Sequence, residues 1–236
     1  MSQEISAEQI AELRKIDTPT ICNLLEIVVP QRRGQGYTTK HLHCAFPDLP
    51  PIVGYAKTAT MRAKEPGHLG PAGNMALRFR YLDYLAAGPS PRISVIQDLD
   101  DQQAGYGSFW GEVNSNIHKA LSCAGGITNG SVRDLSMIAE GFQLLSGSVG
   151  PSHAFVHVVS FDCEVNVHGM VVRSGDLLHA DRHGAVVIPH DVVPKLAPAL
   201  DLLSRQEAMI IAEARSPGFS LEGLKEAIRK SASMSY

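Results

Sequence analysis

The chain has 236 residues, 44% of them hydrophobic and 19% charged, which predicts a single domain over 1–236 and excludes intrinsic disorder. A net charge of −3, with its 21 Lys and Arg scattered rather than clustered, provides no electrostatic footprint for nucleic acid. No apolar run approaches the ~20 residues of a membrane span, and the acidic start has no apolar signal core, so no membrane partner and a cytoplasmic location are expected.

In chain order, Ser6 is placed to cap a short helix with Ile10, Leu13 and Ile16 on one face. "TPTICNLLEIV" follows as a second helix with Thr18 and Pro19 in cap and first-turn positions, giving N-terminal helices over about 6–30. Arg32 to Pro51 reads as loop, and "IVGYAKTATMRA" as a strand with partial alternation. "EPGHLGPAG" interrupts, "NMALRFRYLDYLAAG" reads as a helix and "RISVIQDLD" as a buried strand. Gly105, Gly107 and Gly111 predict a flexible loop. A helix in "EVNSNIHKALSCAG" comes next, with Val113, Ile117, Ala120 and Leu121 inward. "GGIT" then leads through a turn at Asn129-Gly130 into "SVRDL". Alternating β-branched residues between Ala154 and Pro189, broken at His168-Gly169, Ser174-Gly175-Asp176 and Arg182-His183-Gly184, predict a meander of short strands. A helical arm over about 192–236 is interrupted at Pro217-Gly218. Cys22, Cys44, Cys123 and Cys163 form no CxxC pair and read as buried free thiols. The class is mixed α/β.

"WGEVN" carries chemistry. A helix beginning at Glu112 presents unpaired N–H groups, and glycine ahead of it admits a ligand's oxygens to the backbone. Gly111, Glu112, Val113 and Asn114 therefore form a candidate anion cradle. Neither a P-loop lysine nor GxGxxG can be laid over "GYGSFWG", so a small carboxylate suits it better than a nucleotide. In "GSVRD", Arg133 offers a planar fork of donors for a carboxylate or 2-oxo acid, and Asp134 is a hard oxygen ligand for Mg²⁺ or Mn²⁺. On the residues alone, adjacent Arg and Asp after a turn are more often a surface ion pair. His153 and His157, evenly spaced on one face of a strand and without a third ligand, read as ordinary strand histidines. Trp110 suits a pocket wall or the core.

The order "WGE", a glycine-led strand at Gly126, "NGSVRDL" and "SGDLLHADRHGAVVIP" resembles the family of 4-hydroxy-4-methyl-2-oxoglutarate aldolases and oxaloacetate decarboxylases, which also contains the regulator of ribonuclease E activity A. The resemblance runs from about Thr18 to Pro189. It implies a swivelling β/β/α sandwich with N- and C-terminal helices, assembled as a homotrimer or hexamer with the site between subunits. It implies that Arg133 binds the pyruvyl unit, that Asp134 holds the divalent metal largely through water, and that the amides of Glu112, Val113 and Asn114 hold the substrate carboxylate. Glu112 would orient water at the metal, Glu207 would reach a neighbouring subunit's site, and His179 and His183 would be scaffold.

The implied function is metal-dependent C–C cleavage of a 2-oxo-dicarboxylate through a pyruvate enolate, with Arg133, Glu112 and Asp134 catalytic. The alternative is a non-catalytic regulator that binds an enzyme, from which the retained acid at Asp134 separates this chain. The sequence departs from the family pattern at Asn129, at Asn23 and across 66–75, where "HLGPAG" is altered or extended. Asn114 and Asn116 make the surroundings of the cradle more hydrophilic.

Overall fold

Side-chain caps start the first two helices. In the computed structural model, which describes residues 5–235, Ser6 and Gln9 form a reciprocal capping box that opens α1 (Ala7–Leu13). α2 (Thr18–Val28) is capped by Asp17, which accepts the Thr20 N–H at 2.9 Å. The cap thus lies one residue before the expected Thr18, whose N–H and hydroxyl are instead engaged by Asp181 and His179.

A 3₁₀ turn (Pro30–Arg32) leads into the stretch expected as loop, which contains a two-residue strand, β1 (His43–Cys44). β2 (Ile52–Arg62) is buried at every position but Arg62. The expected alternation is lost because both faces of the sheet are covered. α3 (Gly70–Ala86) starts four residues before the expected Asn74, with Pro71 in the first turn, where its missing N–H costs nothing. β3 (Arg92–Asp98) follows. Instead of a flexible loop, Ser108–Trp110 forms a strand, β4, ahead of α4 (Glu112–Ala120). β5 (Cys123–Val132) runs straight through Asn129-Gly130, which is a register irregularity rather than a turn.

Gln143–Val149 forms β6, and the meander supplies β7 (His157–Phe161), β8 (Val165–Val167), β9 (Met170–Val172), β10 (Leu177–Asp181) and β11 (Gly184–Ile188). α5 (Val193–Ala214) and α6 (Leu221–Ala232) flank Pro217-Gly218.

The main sheet has the order β1-β6-β5-β3-β2-β10-β11, with β4 on β5 and β7 on β2. β2, β3, β5 and β6 are parallel to one another, while β10 and β7 pair antiparallel with β2. The β8–β9 hairpin packs Val165, Val167, Met170 and Val172 over Ile93, Val95 and Ile127 on one face. On the opposite face, Tyr81 and Leu85 of α3 pack with Trp110, Phe142 and Leu144. Further along that face α1, α2 and α5 close over Val53, Leu177 and Ile188. Each fully buried aliphatic contributes about 1.5–3 kcal/mol of transfer free energy. The result is a curled sheet layered β/β/α, with helices at both chain ends.

Candidate active site

The carboxyl ends of parallel β4 and β5 carry the residues singled out above, the position at which open α/β sheets present their ligand sites. The Arg133 N–H donates to the Trp110 carbonyl at 2.9 Å, which places the end of β5 beside the entry to α4. Asp134 then adopts the left-handed region (φ 55°, ψ 40°), tolerated by Asp but rare outside glycine. This bend returns its carboxylate to α4. Oδ2 accepts the Glu112 N–H at 3.3 Å, and Oδ1 lies 3.4 Å from Arg133 Nη1. Arg133 and Asp134 remain 33% and 27% exposed at their side chains.

Gly111 eases this approach, since a Cβ there would lie 2.7 Å from Asp134 Oδ2 and 3.2 Å from Arg133 Cγ and push both side chains aside. It caps α4 without a side-chain hydrogen bond. Among the described residues, the first-turn N–H groups of Val113 and Asn114 have no acceptor in the chain. A guanidinium, a carboxylate and two open N–H donors therefore meet around one helix start.

The inner face of α4 differs from the expected one. Val113 and Ala120 are exposed, Ile117 and Leu121 half-buried, and the fully buried residues are Ser115 and His118. The reason is a set of polar partners from neighbouring elements. Ser115 Oγ donates to the Glu112 carbonyl and accepts the Ala139 N–H at 3.0 Å. His118 Nδ1 is 2.7 Å from the Asn114 carbonyl, which can only accept, so Nδ1 carries the proton. Burial pushes the His118 pKa from 6.5 down to about 4, against the raising effect of that carbonyl. The ring is neutral, and its Nε2 accepts from the Tyr81 hydroxyl at 2.9 Å; Ser94 lies 3.2 Å further along. Sequence reasoning missed this chain, whose one signal was the i, i+3 spacing of Ser115 and His118.

Trp110 belongs to the core, fully buried with its indole against Gly126, where a Cβ would meet Cζ2 and leave no room. Glu112 is exposed at the first position of α4, and Asn116 Nδ2 donates to its carbonyl. Asn129 holds the Asp98 backbone, accepting its N–H at 2.8 Å and donating to its carbonyl at 2.9 Å. His157 begins β7, but His153 lies in the turn before it, so the two do not share a strand face. Each uses Nδ1 on a nearby carbonyl, Ala154 and Phe155 respectively, and both line a cavity of about 440 Å³ beyond Asn114. His179 is buried in β10 and bonds Thr18 Oγ1 and the Leu13 and Ile16 carbonyls. His183 pairs with Asp181 at 3.1 Å. Glu207 is exposed on α5. Only Cys123 of the four free cysteines is fully buried; burial raises it and Cys22 to about 11.

Among known proteins, the family model described as RraA-like, Aldolase/RraA, matches residues 18–187. No curated protein matches the chain. A solved structure of an uncharacterized protein from Pseudomonas syringae pv. tomato str. DC3000 shares 18% identity with a TM-score of 0.71, covering 98% of this chain and 97% of its own. A structure described as one of novel cellulases from microbes associated with the gut ecosystem shares 14% identity at a TM-score of 0.71, covering 88% of this chain and 90% of its own. RraAS2 of Streptomyces coelicolor, described as an unusual member of the RNase ES inhibitor RraA protein family, shares 19% identity at 0.66, covering 87% of this chain and 96% of its own. At such identities the likeness is one of fold, and the differing descriptions attached to one fold leave activity to be argued from the site.

Proposed function

The chain belongs to the RraA-like family, Aldolase/RraA, and from that premise we propose that it is a divalent-metal-dependent lyase of 2-oxo-dicarboxylates. It would cleave a substrate like 4-hydroxy-4-methyl-2-oxoglutarate by retro-aldol reaction, or decarboxylate oxaloacetate. The observation that carries this reading is the under-bonded Asp134 carboxylate beside Arg133 and two open N–H groups.

Both reactions break the C3–C4 bond and leave its electron pair on C3 as the enolate of pyruvate. In the aldol case the C4 hydroxyl loses its proton and C4 becomes a carbonyl; in the other C4 leaves as CO₂. Protonation of C3 then gives pyruvate. The N–H groups of Val113 and Asn114 hold the C1 carboxylate, as helix starts do for anions. Arg133 donates to the C2 oxygen, where charge develops, and a donor so placed is worth about 10²–10³ in rate.

Asp134 is the residue that would hold the cation, with Glu112 orienting its water. Among the described residues no three His, Cys, Asp or Glu side chains converge, and a one- or two-carboxylate oxygen set suits an ion that keeps most of its water, Mg²⁺ or Mn²⁺. When bound it supplies Lewis-acid stabilisation of the enolate oxygen. In a homotrimer or hexamer the exposed Glu207 would approach a neighbouring copy's site. No helix among the described residues is long and apolar enough to cross a membrane.

The test is pyruvate release from oxaloacetate and from 4-hydroxy-4-methyl-2-oxoglutarate, with Mg²⁺ or Mn²⁺ and with EDTA, for the wild type and Asp134→Ala. Metal-dependent turnover that the variant loses supports the lyase. Absence of both turnover and metal binding favours the non-catalytic, protein-binding regulator instead.

A further inference from the structure

We infer that the cavity beyond Asn114 receives the group attached to C4 of the substrate, and that this group is a ring-sized apolar body ending in a carboxylate. The chemistry rests on the lyase reading; the binding does not.

Size comes first. About 440 Å³ falls in the range of sites that enclose whole small molecules, roughly 300–1,000 Å³. Beyond its pyruvyl unit oxaloacetate offers this space a single carboxylate, and 4-hydroxy-4-methyl-2-oxoglutarate only a methyl and a carboxymethyl group. The walls are largely apolar, with Met75, Leu82, Phe109, Phe155 and Val158 among them, which fits a ring.

Polarity comes second. Arg78 is the only Lys, Arg, Asp or Glu in the lining. Among the described residues its side chain has one hydrogen bond, a 3.5 Å contact to Asn114 Oδ1, and no ion pair. A permanent cation without a counter-charge, at the edge of an apolar cavity, matches a ligand's terminal carboxylate.

Connection comes third. The Asn114 N–H belongs to the cradle, while its side chain lines the cavity and is fixed by Nδ2 donating to the Phe109 carbonyl at 2.6 Å. Asn114 is the one residue that cradle and cavity share, so an oxo acid with C1 on the cradle would reach the cavity past it. Pro66, Gly67, Gly70, Pro71, Asn74 and Met75 of the cavity rim come from the 66–75 segment, where the sequence departs from its family pattern.

For a 4-aryl-4-hydroxy-2-oxobutanoate the C3–C4 electron pair passes to C3, the C4 hydroxyl proton is released, and C4 becomes the carbonyl of an aryl aldehyde. Pyruvate is the other product. No oxidant or reductant is needed.

The experiment has two arms. Kinetics compares 4-(4-carboxyphenyl)-4-hydroxy-2-oxobutanoate, its phenyl analogue and oxaloacetate on the wild type, Arg78→Leu and Met75→Trp. Calorimetry measures binding of 4-formylbenzoate to the same three proteins without metal. We expect the carboxylated probe to exceed the phenyl analogue about 10-fold in kcat/KM, and Arg78→Leu to erase that advantage through KM. Met75 is 51% exposed, so tryptophan there folds while filling the cavity; it should raise KM for both aryl probes about 10-fold and leave oxaloacetate decarboxylation unchanged. Turnover of oxaloacetate with neither cleavage of aryl probes nor binding of 4-formylbenzoate would overturn the pocket and leave the lyase standing. Binding of 4-formylbenzoate, lost in Met75→Trp, with no oxo acid turned over would do the reverse. Binding unaffected by either substitution also overturns it.

Discussion

Asp181 closes β10 and Asp134 follows β5, each within two residues of a basic side chain, and their surroundings are opposite. Asp181 accepts the Thr18 and His183 N–H groups at 2.9 and 2.8 Å and the His183 ring at 3.1 Å, with 8% of its side chain exposed. Burial alone would raise its pKa, but those bonds outweigh it and hold the carboxyl below the usual range. Asp134 has one long bond from Glu112, a loose pairing with Arg133 and more than three times that exposure. A carboxylate saturated by its own chain secures the fold, whereas one left short of donors has coordination to offer.

This contrast breaks most visibly at Asp134. Asp134→Asn keeps a residue tolerant of the left-handed conformation, so we expect turnover of oxaloacetate to fall about 10²–10³-fold while stability changes by less than about 1 kcal/mol. Steady-state assay beside urea unfolding would show it; equal losses in both would erase the distinction. Asp181→Asn should act oppositely, costing about 2–4 kcal/mol of unfolding free energy with turnover per folded molecule intact.

The buried imidazole of His118 sharpens the comparison through pH. Its folded pKa, about 4, lies below the ordinary 6.5, so its contribution is complete above pH 6.5 and is lost as pH falls towards 4, up to about 3 kcal/mol. Asp181, also depressed, keeps its contribution until pH passes below 3.8. Urea midpoints between pH 7.5 and 4.5 should therefore decline in the wild type and decline less in His118→Gln. Gly111→Ala should be the mildest, lowering kcat/KM about 10-fold by crowding Asp134, with about 1 kcal/mol lost in stability.

What the sequence made legible was local. The Ser6 cap of the first helix and the helix start at Glu112 each signal within a few residues, and each is where it was expected. What it concealed depends on distant partners. β1 exists because Ser146 and Leu145 pair with it, and β4 because β5 lies alongside. Asn129-Gly130 has the composition of a turn, yet Asn129 is held extended by a backbone 31 residues away. The inward face of α4 was misread because hydrophobic periodicity cannot foresee that Tyr81 and Ala139 supply bonds for His118 and Ser115. The cavity assembles α3, β4, α4 and the turn before β7, and no single stretch announces it.

β2 is held along one edge by β3 from Tyr55 to Met61, and along the other first by β10 at Ile52–Tyr55 and then by β7 at Ala59–Arg62. Releasing it would unzip three neighbours at once. Its amides should accordingly exchange with deuterium only through global opening, slowest of any in the chain, while the open amides of Val113 and Asn114 exchange within seconds and slow only when an anion sits on them.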